Sequence, residues 1–482
     1  HGRHYQCGGA AQQTLGRSAV NSSQDKRLVI VSNRVAMPKK NGGAAGGLAV
    51  GVLAALREHG GVWFGWSGEL TDRSVGNPEI VKRGKIDYAT ISLNKKDFEQ
   101  YYNGYSNKVL WPVCHYLLDF IIYKAEDLDG YRRVNSMFAA KLAPLLKPDD
   151  IIWVHDYHLI PLAAELRNAG IHNPIGFFLH VPFPSYEAFR AVPGHEYLLR
   201  CMCAYDVIGF HTAGDLAAFQ TCIREPIVGA EFLGRNRIKV DGGELIADVF
   251  PIGIDVDEIQ QLSVEAQELK QVQSMVKSLG GRELIIGVDR LDYSKGLVQR
   301  FLAYERLLEK YPNAQKNVTL MQIAPPTRIG VRAYDEIRSE LEQASGHING
   351  RFAETDWVPI RYLNKGVARK PLMGFFRNAA AALVTPVRDG MNLVAKEYVA
   401  AQNPEEPGML VLSSLAGAAR ELTDAVIVNP HDRDEVADGI ATAVNLPLEE
   451  RRERHAAMME VLRRNDITAW RTRFVNALLE KA

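Results

Sequence analysis

Short apolar runs alternate with helical patterns along most of this chain. The runs are rich in Val, Ile and Leu, which is typical of strands buried on both faces of a parallel sheet. We predict strands at 27–32, 150–155, 175–180, 206–210, 283–288, 317–323, 382–385 and 409–413. Helical spacing predicts helices after 47 and from about 392, and at 159–169, 296–311, 432–445 and 449–479. The alternation predicts an α/β fold with doubly wound parallel sheets.

A polar, Gln- and Glu-rich helical segment at 257–278 separates two series of strands. We therefore predict two domains, 27–254 and 255–455, with ligands bound in the cleft between them at the carboxyl ends of the strands. Residues 1–26 are polar and rich in Gly, Gln and Ser, and we predict that they form a flexible leader. Residues 456–482 are predicted to form a C-terminal helix.

Composition limits the classes of partner. The 482 residues include 57 Lys plus Arg and 57 Asp plus Glu, so the formal net charge is zero. A nucleic-acid-binding surface is therefore not expected, and anionic ligands need a few locally placed cations. No apolar run reaches the ~18 residues of a membrane span. The five cysteines lack the spacing of a zinc site, which favours reduced thiols in a cytoplasmic protein.

A glycine cluster, Gly42-Gly43-Ala44-Ala45-Gly46-Gly47, precedes the first helical pattern. Glycines let the backbone approach a ligand closely, and a helix N-terminus offers unpaired N–H groups to phosphate. The cluster lacks the spaced fingerprint of dinucleotide-binding proteins, so a dehydrogenase is not favoured. A tight turn without a ligand is the alternative interpretation.

Two cations follow the strand at 283–288. Arg290 and Lys295 lie five residues apart before a predicted helix, so both can face one diphosphate. Arginine can bind it bidentately, and lysine acts as a point charge. A solvated loop with surface ion pairs is the alternative interpretation.

The stretch 385–397 follows another strand end and carries two acids. Gly390 allows a tight turn that presents backbone N–H groups. Asp389 lies in this loop, and Glu397 lies one turn into the next helix, where a carboxylate suits a pair of ribose hydroxyls. Capping of the helix by these acids is the alternative.

Histidines and aromatic residues also gather near predicted strand ends. The stretches 155–158 and 180–184 each close a strand with a histidine, which favours a polar site in the first domain. Aromatic residues at 63–68, 101–102 and 111–112 can form platforms for sugar rings, and core packing is their alternative role.

Taken together, the segments resemble those of the trehalose-6-phosphate synthase family in order and approximate spacing, from about Arg27 onward. The segments that carry the resemblance are Ser32–Ala36, Gly46-Gly47, Trp63–Gly68, His155–His158, His180–Pro184, Arg290–Gly296 and Arg388–Glu397. The resemblance implies a retaining glycosyltransferase of the GT-B fold. In that fold two Rossmann-like domains face each other, the active site lies in the cleft, and the last helix packs back on the first domain.

The resemblance also implies roles for individual residues. Those matching the binding site for the acceptor, glucose-6-phosphate, are Arg34, Trp66, Tyr102, Trp111, Asp156 and Arg328. Those matching the site for the nucleotide-sugar donor are Gly46, Gly47, Arg290, Lys295, Asp389, Met391, Asn392, Leu393 and Glu397. The expected catalytic residues are His180, Arg290, Lys295 and Asp389.

The implied reaction moves glucose from UDP-glucose to glucose-6-phosphate and gives α,α-trehalose-6-phosphate and UDP by a front-face mechanism. No metal and no cofactor are expected. The chain is expected to form a homo-oligomer, either a dimer or a tetramer. One alternative is glucosylglycerol-phosphate synthesis, with glycerol-3-phosphate as acceptor. The other is a catalytically silent sugar-phosphate sensor, against which the presence of Arg290, Lys295, Asp389 and Glu397 argues. The base of the donor nucleotide is left open.

Overall fold

The computed structural model describes residues 26–37, 47–72, 75–225, 228–327 and 332–481, and the strands in these ranges form two sheets. The first sheet contains β1 (Leu28–Arg34), β2 (Gly61–Thr71), β3 (Glu79–Arg83), β4 (Ile86–Asn94), β5 (Ile151–His155), β6 (Ile175–Phe178), β7 (Val207–Phe210), β8 (Glu231–Phe232), β9 (Arg237–Val240) and β10 (Gly243–Val249). The second contains β11 (Glu283–Val288), β12 (Val318–Ile323), β13 (Ile360–Leu363), β14 (Ala381–Val384), β15 (Met409–Ser413) and β16 (Val426–Val428).

The helices of the first half, which we define as β1–β10 and their helices, are α1 (Gly47–His59), α2 (Lys95–Asp97), α3 (Trp111–Cys114), α4 (Ala125–Leu142), α5 (Leu162–Asn168), α6 (Tyr186–Phe189), α7 (His195–Met202) and α8 (Ala213–Arg224). A π-helix spans Phe98–Leu110. The second half adds α9 (Val256–Glu265), α10 (Lys270–Leu279), α11 (Leu297–Lys310), α12 (Arg332–Phe352), α13 (Arg369–Arg377), α14 (Leu393–Ala401), α15 (Arg433–Asn445) and α16 (Leu448–Arg464). A last helix, α17 (Ile467–Leu479), follows. Among the described residues, no helix combines the length and apolarity that a membrane crossing requires.

The strand order places the ends of the parallel strands together. In the first sheet the order is β3-β4-β2-β1-β5-β6-β7-β10-β9-β8, and every neighbouring pair from β4 to β10 is parallel. The second sheet, in the order β13-β12-β11-β14-β15-β16, is parallel throughout. Loops that leave the carboxyl ends of these strands therefore gather at one edge of each sheet.

Both faces of each sheet are buried. In β1, Val29 and Val31 belong to one apolar cluster, while Leu28 and Ile30 belong to another on the opposite face. The second of these clusters also contains Ile286 of β11, so the two halves share part of their core. Burial on both faces explains why the strands are continuously apolar.

The strands and helices predicted from the apolar runs are confirmed in position, with ends displaced by a few residues. The prediction missed β2–β4, β8–β10, β13 and β16. Three of these strands, β3, β8 and β9, pair antiparallel at the margins of the first sheet and expose much of their length. Such strands carry no continuous apolar run, so the pattern that identified the buried strands could not find them.

The single helix predicted at 449–479 is wrong, because Asn465 and Asp466 divide it into α16 and α17. Asp466 caps α17, accepting a hydrogen bond from the backbone N–H of Ala469 at 2.7 Å. The helix then packs on the first half, with the ring of Phe474 stacked 4.6 Å from that of Trp153. The chain thus returns from the second half to the first at this break.

Candidate active site

The carboxyl ends of the two sheets border one cavity of about 540 Å³. Side chains of both halves line it. The first half supplies Ser32, Arg34, Ala36, Trp63, His180, His211 and Ile252, and the second supplies Asp289, Arg290, Lys295, Asp389, Met391, Asn392, Leu393, Val394 and Glu397. The position agrees with the cleft expected for two doubly wound units.

An ion pair joins two loops of the second half. Lys295 Nζ lies 2.5 Å from Asp389 Oδ2, and the two side chains are 11% and 12% exposed. Asn392 Nδ2 donates to the same oxygen at 2.9 Å. Burial raises the pKa of Asp389, but the charge and hydrogen bond of Lys295, with His115 and Asn392, outweigh burial and hold this pKa below its ordinary value. Asp389 is therefore a carboxylate, and its contact with Lys295 fixes the loops after β11 and β14 against each other.

Arg290 is exposed to the cavity, while its neighbour Asp289 is anchored. Arg300, itself buried, lies with Nη1 2.5 Å from Asp289 Oδ2 and donates from Nε to Thr385 Oγ1 at 3.0 Å. Within the described ranges no ion pair engages Arg290, whose guanidinium carbon lies 5.7 Å from the ring centre of Trp111. The loop is thus held by Arg300, and the charge of Arg290 is directed at the cavity.

The N-terminus of α14 opens into the same cavity. Asn392 precedes the helix with φ of 76°, a conformation that costs a non-glycine residue about 1–3 kcal/mol and is found mainly at functional sites. Its side chain accepts a hydrogen bond from Ala395 N at 3.4 Å. Leu393 and Val394 begin the helix and line the cavity. Backbone N–H groups at such an end favour an anion.

Glu397 lies one turn further along α14. Arg369 Nη1 contacts Glu397 Oε1 at 3.2 Å, and Arg369 Nη2 contacts Glu258 on α9 at the same distance. Burial raises the pKa of Glu397, and the charge of Arg369 opposes that effect. The carboxylate is therefore placed at the cavity wall by a helix and oriented by a partner from α13.

Three histidines of the first half meet beside the loop after β14. His155 Nδ1 and His180 Nε2 are 3.0 Å apart, and the His180 and His211 ring centres are 5.7 Å apart. Burial lowers the pKa of all three rings, well below the ordinary range for His155 and His180 and to about 3 for His211. These imidazoles are therefore neutral and act by hydrogen bonding rather than by charge.

Gly390 lets the two halves touch at this point. A Cβ atom on Gly390 would lie 2.3 Å from the carbonyl oxygen of His180, closer than any side chain permits. The loop that carries Asp389 therefore packs directly on backbone of the first half. This contact places the ion pair and the histidines on one wall of the cavity.

An aromatic wall borders Arg34. The Arg34 guanidinium carbon lies 5.7 Å from the Trp66 ring centre, and the Trp66 and Tyr102 rings are 6.0 Å apart. Tyr102, on the π-helix, stacks on His158 at 5.7 Å. Arg34 is exposed, and no carboxylate pairs with it in the part of the chain that the structure describes. A cation beside flat rings suits a phosphorylated sugar.

Trp111 and Asp156 complete the surroundings from the first half. Trp111 Nε1 donates to Asp292 Oδ1 of the second half at 3.4 Å. Asp156 has φ of 78°, and its Oδ1 accepts hydrogen bonds from Tyr157 N at 3.1 Å and from His180 N at 3.3 Å. The loop after β5 is therefore held in an uncommon conformation beside His180.

Comparison with known proteins identifies the family. The family model described as glycosyltransferase family 20 matches residues 21–480. The chain belongs to glycosyltransferase family 20. It is 52% identical over 457 residues to a trehalose-6-phosphate synthase of Klebsiella pneumoniae, covering 94% of this chain and 95% of that protein.

Solved structures of the family have the same fold. A Burkholderia xenovorans UDP-forming α,α-trehalose-phosphate synthase in complex with glucose-6-phosphate superposes with a TM-score of 0.90 at 50% identity, covering 94% of this chain and 100% of that one. An E. coli structure bound with UDP-2-fluoro glucose gives a TM-score of 0.90 at 49% identity, covering 94% and 99%. The predicted GT-B fold, with two facing parallel-sheet units, is confirmed.

The structure brings together most of the site residues expected from the family resemblance. His180, Arg290, Lys295, Asp389, Met391, Asn392, Leu393 and Glu397 line the cavity with Arg34. The aromatic residues Trp66, Tyr102 and Trp111 and the carboxylate of Asp156 lie beside it rather than in its lining. Gly47 begins α1. Gly46 and Arg328 lie outside the described residues.

Several lining residues were missed by sequence reasoning. His211 directly follows β7, so the rule that selected histidines at strand ends could have found it. Asp289 likewise follows β11 directly, next to Arg290. Arg300 and Arg369 do not line the cavity but pair with Asp289 and Glu397, which do. The sequence gives no signal for either, because each is a helical arginine whose partner is set by the tertiary fold.

The buried histidines predict a pH dependence of stability. The pKa of His115 is lowered to about 4, chiefly by burial, and those of His155, His180 and His211 are also lowered from 6.5. Below pH 6.5 the unfolded chain binds protons that the folded chain does not, so stability is lost as pH falls from 6.5 toward 4. The limit is about 1.4 kcal/mol per pH unit for each histidine.

Urea unfolding at stepped pH values between 7.5 and 5.5 measures this dependence. His115→Asn keeps a donor for the carbonyl of Trp111, which His115 Nδ1 contacts at 2.7 Å, and removes one titrating group. The slope of unfolding free energy against pH is expected to be shallower in this variant, by an amount that corresponds to at most one proton, or about 1.4 kcal/mol per pH unit. Equal slopes for the variant and the parent would contradict the assignment.

Proposed function

We propose that this chain transfers glucose from UDP-glucose to glucose-6-phosphate, giving α,α-trehalose-6-phosphate and UDP with retention of anomeric configuration. The observation that carries the proposal is the lining of one cavity by Arg34 of the first half and by Arg290 and Lys295 of the second. Two anion-binding centres from opposite halves suit two phosphorylated ligands that must meet. The relatives named above act as trehalose-phosphate synthases, and one was solved with glucose-6-phosphate.

The donor is assigned to the second half. In this proposal Arg290 and Lys295 hold the diphosphate beside the N-terminus of α14, where Met391, Asn392 and Leu393 lie. Glu397 accepts hydrogen bonds from the ribose hydroxyls. The E. coli relative bound with UDP-2-fluoro glucose supports a donor of this class. Gly46 and Gly47 keep the diphosphate contacts that the family resemblance implies.

The acceptor is assigned to the first half. Arg34 binds its phosphate, and Arg328 keeps the same role from the resemblance. Trp66, Tyr102 and Trp111 surround the hexose with flat apolar faces, which suit the C–H faces of a sugar ring. Asp156 accepts a hydrogen bond from a sugar hydroxyl beside His180.

The pairing of the carboxylates in the cavity bears on the reaction mechanism. Retention commonly uses a carboxylate nucleophile. The three carboxylates that line the described cavity are each paired with a cation: Asp389 with Lys295, Asp289 with Arg300 and Glu397 with Arg369. We therefore assign a front-face displacement. The anomeric C–O bond to the diphosphate breaks, the acceptor hydroxyl oxygen bonds to that carbon on the same face, and the departing phosphate oxygen takes the hydroxyl proton.

Catalysis then depends on stabilising the leaving group and on position. Arg290 and Lys295 neutralise the charge that develops on the diphosphate. Asp389 keeps Lys295 in place, and His180, neutral in its buried setting, donates or accepts a hydrogen bond at the donor glucose. No residue needs to change its charge during the step.

We further propose the division into domains 27–254 and 255–455, with 456–482 returning to the first. Helix α17 supports the return, because its Trp470 and Phe474 rings pack on Trp153 of β5. The cytoplasmic location and the homo-oligomeric state stay predictions.

The function is tested by supplying the purified chain with glucose-6-phosphate and each of UDP-, GDP- and ADP-glucose, and identifying products by mass spectrometry and NMR. A non-reducing α,α-linked disaccharide phosphate is expected with UDP-glucose. Glycerol-3-phosphate in place of glucose-6-phosphate tests the alternative acceptor. Binding of both ligands without turnover would indicate a sensor and would contradict the proposal.

Replacement of Arg290 tests its role at the leaving group. Arg290→Ala is expected to lower kcat by a factor of about 10²–10³, or about 3–4 kcal/mol of transition-state stabilisation. Arg306→Ala is the matched control, since Arg306 forms a solvent-exposed ion pair with Asp434 and neither residue lines the cavity. Steady-state kinetics of both variants measure the effect, and a near-normal kcat for Arg290→Ala would refute the assignment.

Replacement of Arg34 tests the acceptor site. Arg34→Ala removes a charge-assisted hydrogen bond to phosphate, so the Kd for glucose-6-phosphate is expected to rise about 10- to 100-fold, while that for UDP-glucose changes little. Titration calorimetry with each ligand separately gives both constants, and Arg57→Ala, an exposed arginine on α1, serves as control. Equal weakening of the two ligands would count against the assignment.

A further inference from the structure

The chain crosses between the two halves at two places, and the crossings touch. The first follows β10, at 250–255, and the second lies between α16 and α17, at 465–466. Ile467 N donates to the carbonyl of Ile254 at 3.1 Å. A Cβ atom on Gly253 would lie 2.1 Å from the carbonyl oxygen of Asn465, so the two backbones meet without room for a side chain.

A buried ion pair binds both crossings to the second half. Lys396, on α14, has no exposed side-chain surface, and its Nζ donates to the carbonyl of Ile252 at 2.7 Å. The same nitrogen lies 2.5 Å from Glu421 Oε2, and Glu421 Oε1 accepts from Asn465 Nδ2 at 2.8 Å. We call Ile252, Gly253, Lys396, Glu421 and Asn465 the crossing clamp.

The clamp has features that stability alone does not explain. A buried ion pair is weak evidence for stability, because well-packed apolar residues often serve as well or better. What the pair adds is direction: each bond fixes one carbonyl or amide of a crossing segment at a defined place. Such directional bonds suit a junction in which the relative orientation of the segments matters, and not only the filling of space.

The clamp also adjoins the cavity. Lys396 precedes Glu397 on α14, and successive helical residues point about 100° apart, so one contacts the crossing while the other lines the cavity. Ile252, whose carbonyl Lys396 binds, lines the cavity as well. A shift of the crossing relative to α14 therefore changes the position of Glu397 relative to the first half.

We propose that Lys396 and Glu421 are positioning residues for the transfer. Through Ile252 and Asn465 they fix the orientation in which the proposed acceptor site of the first half faces the proposed donor site of the second. This inference rests on the proposed function. Neither Lys396 nor Glu421 lines the cavity, so each substrate should still bind its own half when the clamp is broken. The transfer step, which needs both halves correctly oriented, should be slowed.

The first test is the double variant Lys396→Met/Glu421→Gln, which removes both charges and so leaves no unpaired buried ion. Its Kd for UDP is expected to stay within about threefold of the parent, while kcat for glucosyl transfer falls about tenfold. Arg452→Met/Glu449→Gln likewise removes both charges of an exposed ion pair on α16 and is expected to leave kcat unchanged.

Gly253→Ala tests the clamp without changing a charge or any residue of α14. Its Cβ atom would push against Asn465 and Asp466, so it should reproduce the retained UDP affinity and the reduced kcat. If the double variant does not fold, Gly253→Ala alone decides. A kcat within twofold of the parent in the folded variants would overturn the proposal. The proposal would also be overturned if the double variant lost UDP affinity while Gly253→Ala kept normal UDP affinity and kcat, because Lys396 would then act by holding α14 in place.

An independent readout separates this proposal from the proposed function. The amide of Ile467 donates to Ile254 across the crossings, and its hydrogen exchange is expected to quicken in both clamp variants but not in the control. If the parent protein shows no glucosyl transfer, the proposed function fails and exchange still reports on the clamp. Unchanged exchange in both variants would overturn the clamp itself.

Discussion

The ion pair between Lys295 and Asp389 joins the loops that leave β11 and β14, and the cavity is built around it. A chain with zero formal net charge cannot attract anions through its overall field, so it needs cations at chosen points. Asp389 holds one such cation, and Arg300 holds the neighbouring backbone through Asp289. These bonds leave the Arg290 side chain and the N-terminus of α14 facing the cavity, where we propose that the diphosphate binds.

The sequence predicted strands with continuous Val-, Ile- and Leu-rich runs better than the rest of the fold, and it missed the buried strands β2 and β4 as well as the margins. Strands such as β5 and β6 are buried on both faces, so their apolar runs stand out. The margin strands β3 and β9 expose alternate or most residues and carry no such run. The break at Asn465 was missed because helical spacing continues on both sides of it, and only the packing of α17 on the first half shows why the chain turns there.

The residues of the candidate site also differ in how far the sequence could predict them. Residues at strand ends, such as His180 and Arg290, could be selected because parallel strands bring their carboxyl ends together. Partners from helices could not. Arg369 meets Glu397, and Lys396 meets Glu421, only once the helices and loops of the second half have packed. Lys396 also reaches a carbonyl of the crossing. The residue types indicated two anionic ligands, and the family relationship supplied the identity of the sugars.

We propose that one cavity holds a nucleotide diphosphate against the second half and a sugar phosphate against the first. A crystal structure with UDP and glucose-6-phosphate bound together tests it most directly. We expect diphosphate oxygens within hydrogen-bonding distance of Arg290 and Lys295, and the acceptor phosphate at Arg34 beside the Trp66 and Tyr102 rings. A diphosphate bound away from Arg290 and Lys295, or a sugar phosphate outside this cavity, would contradict it.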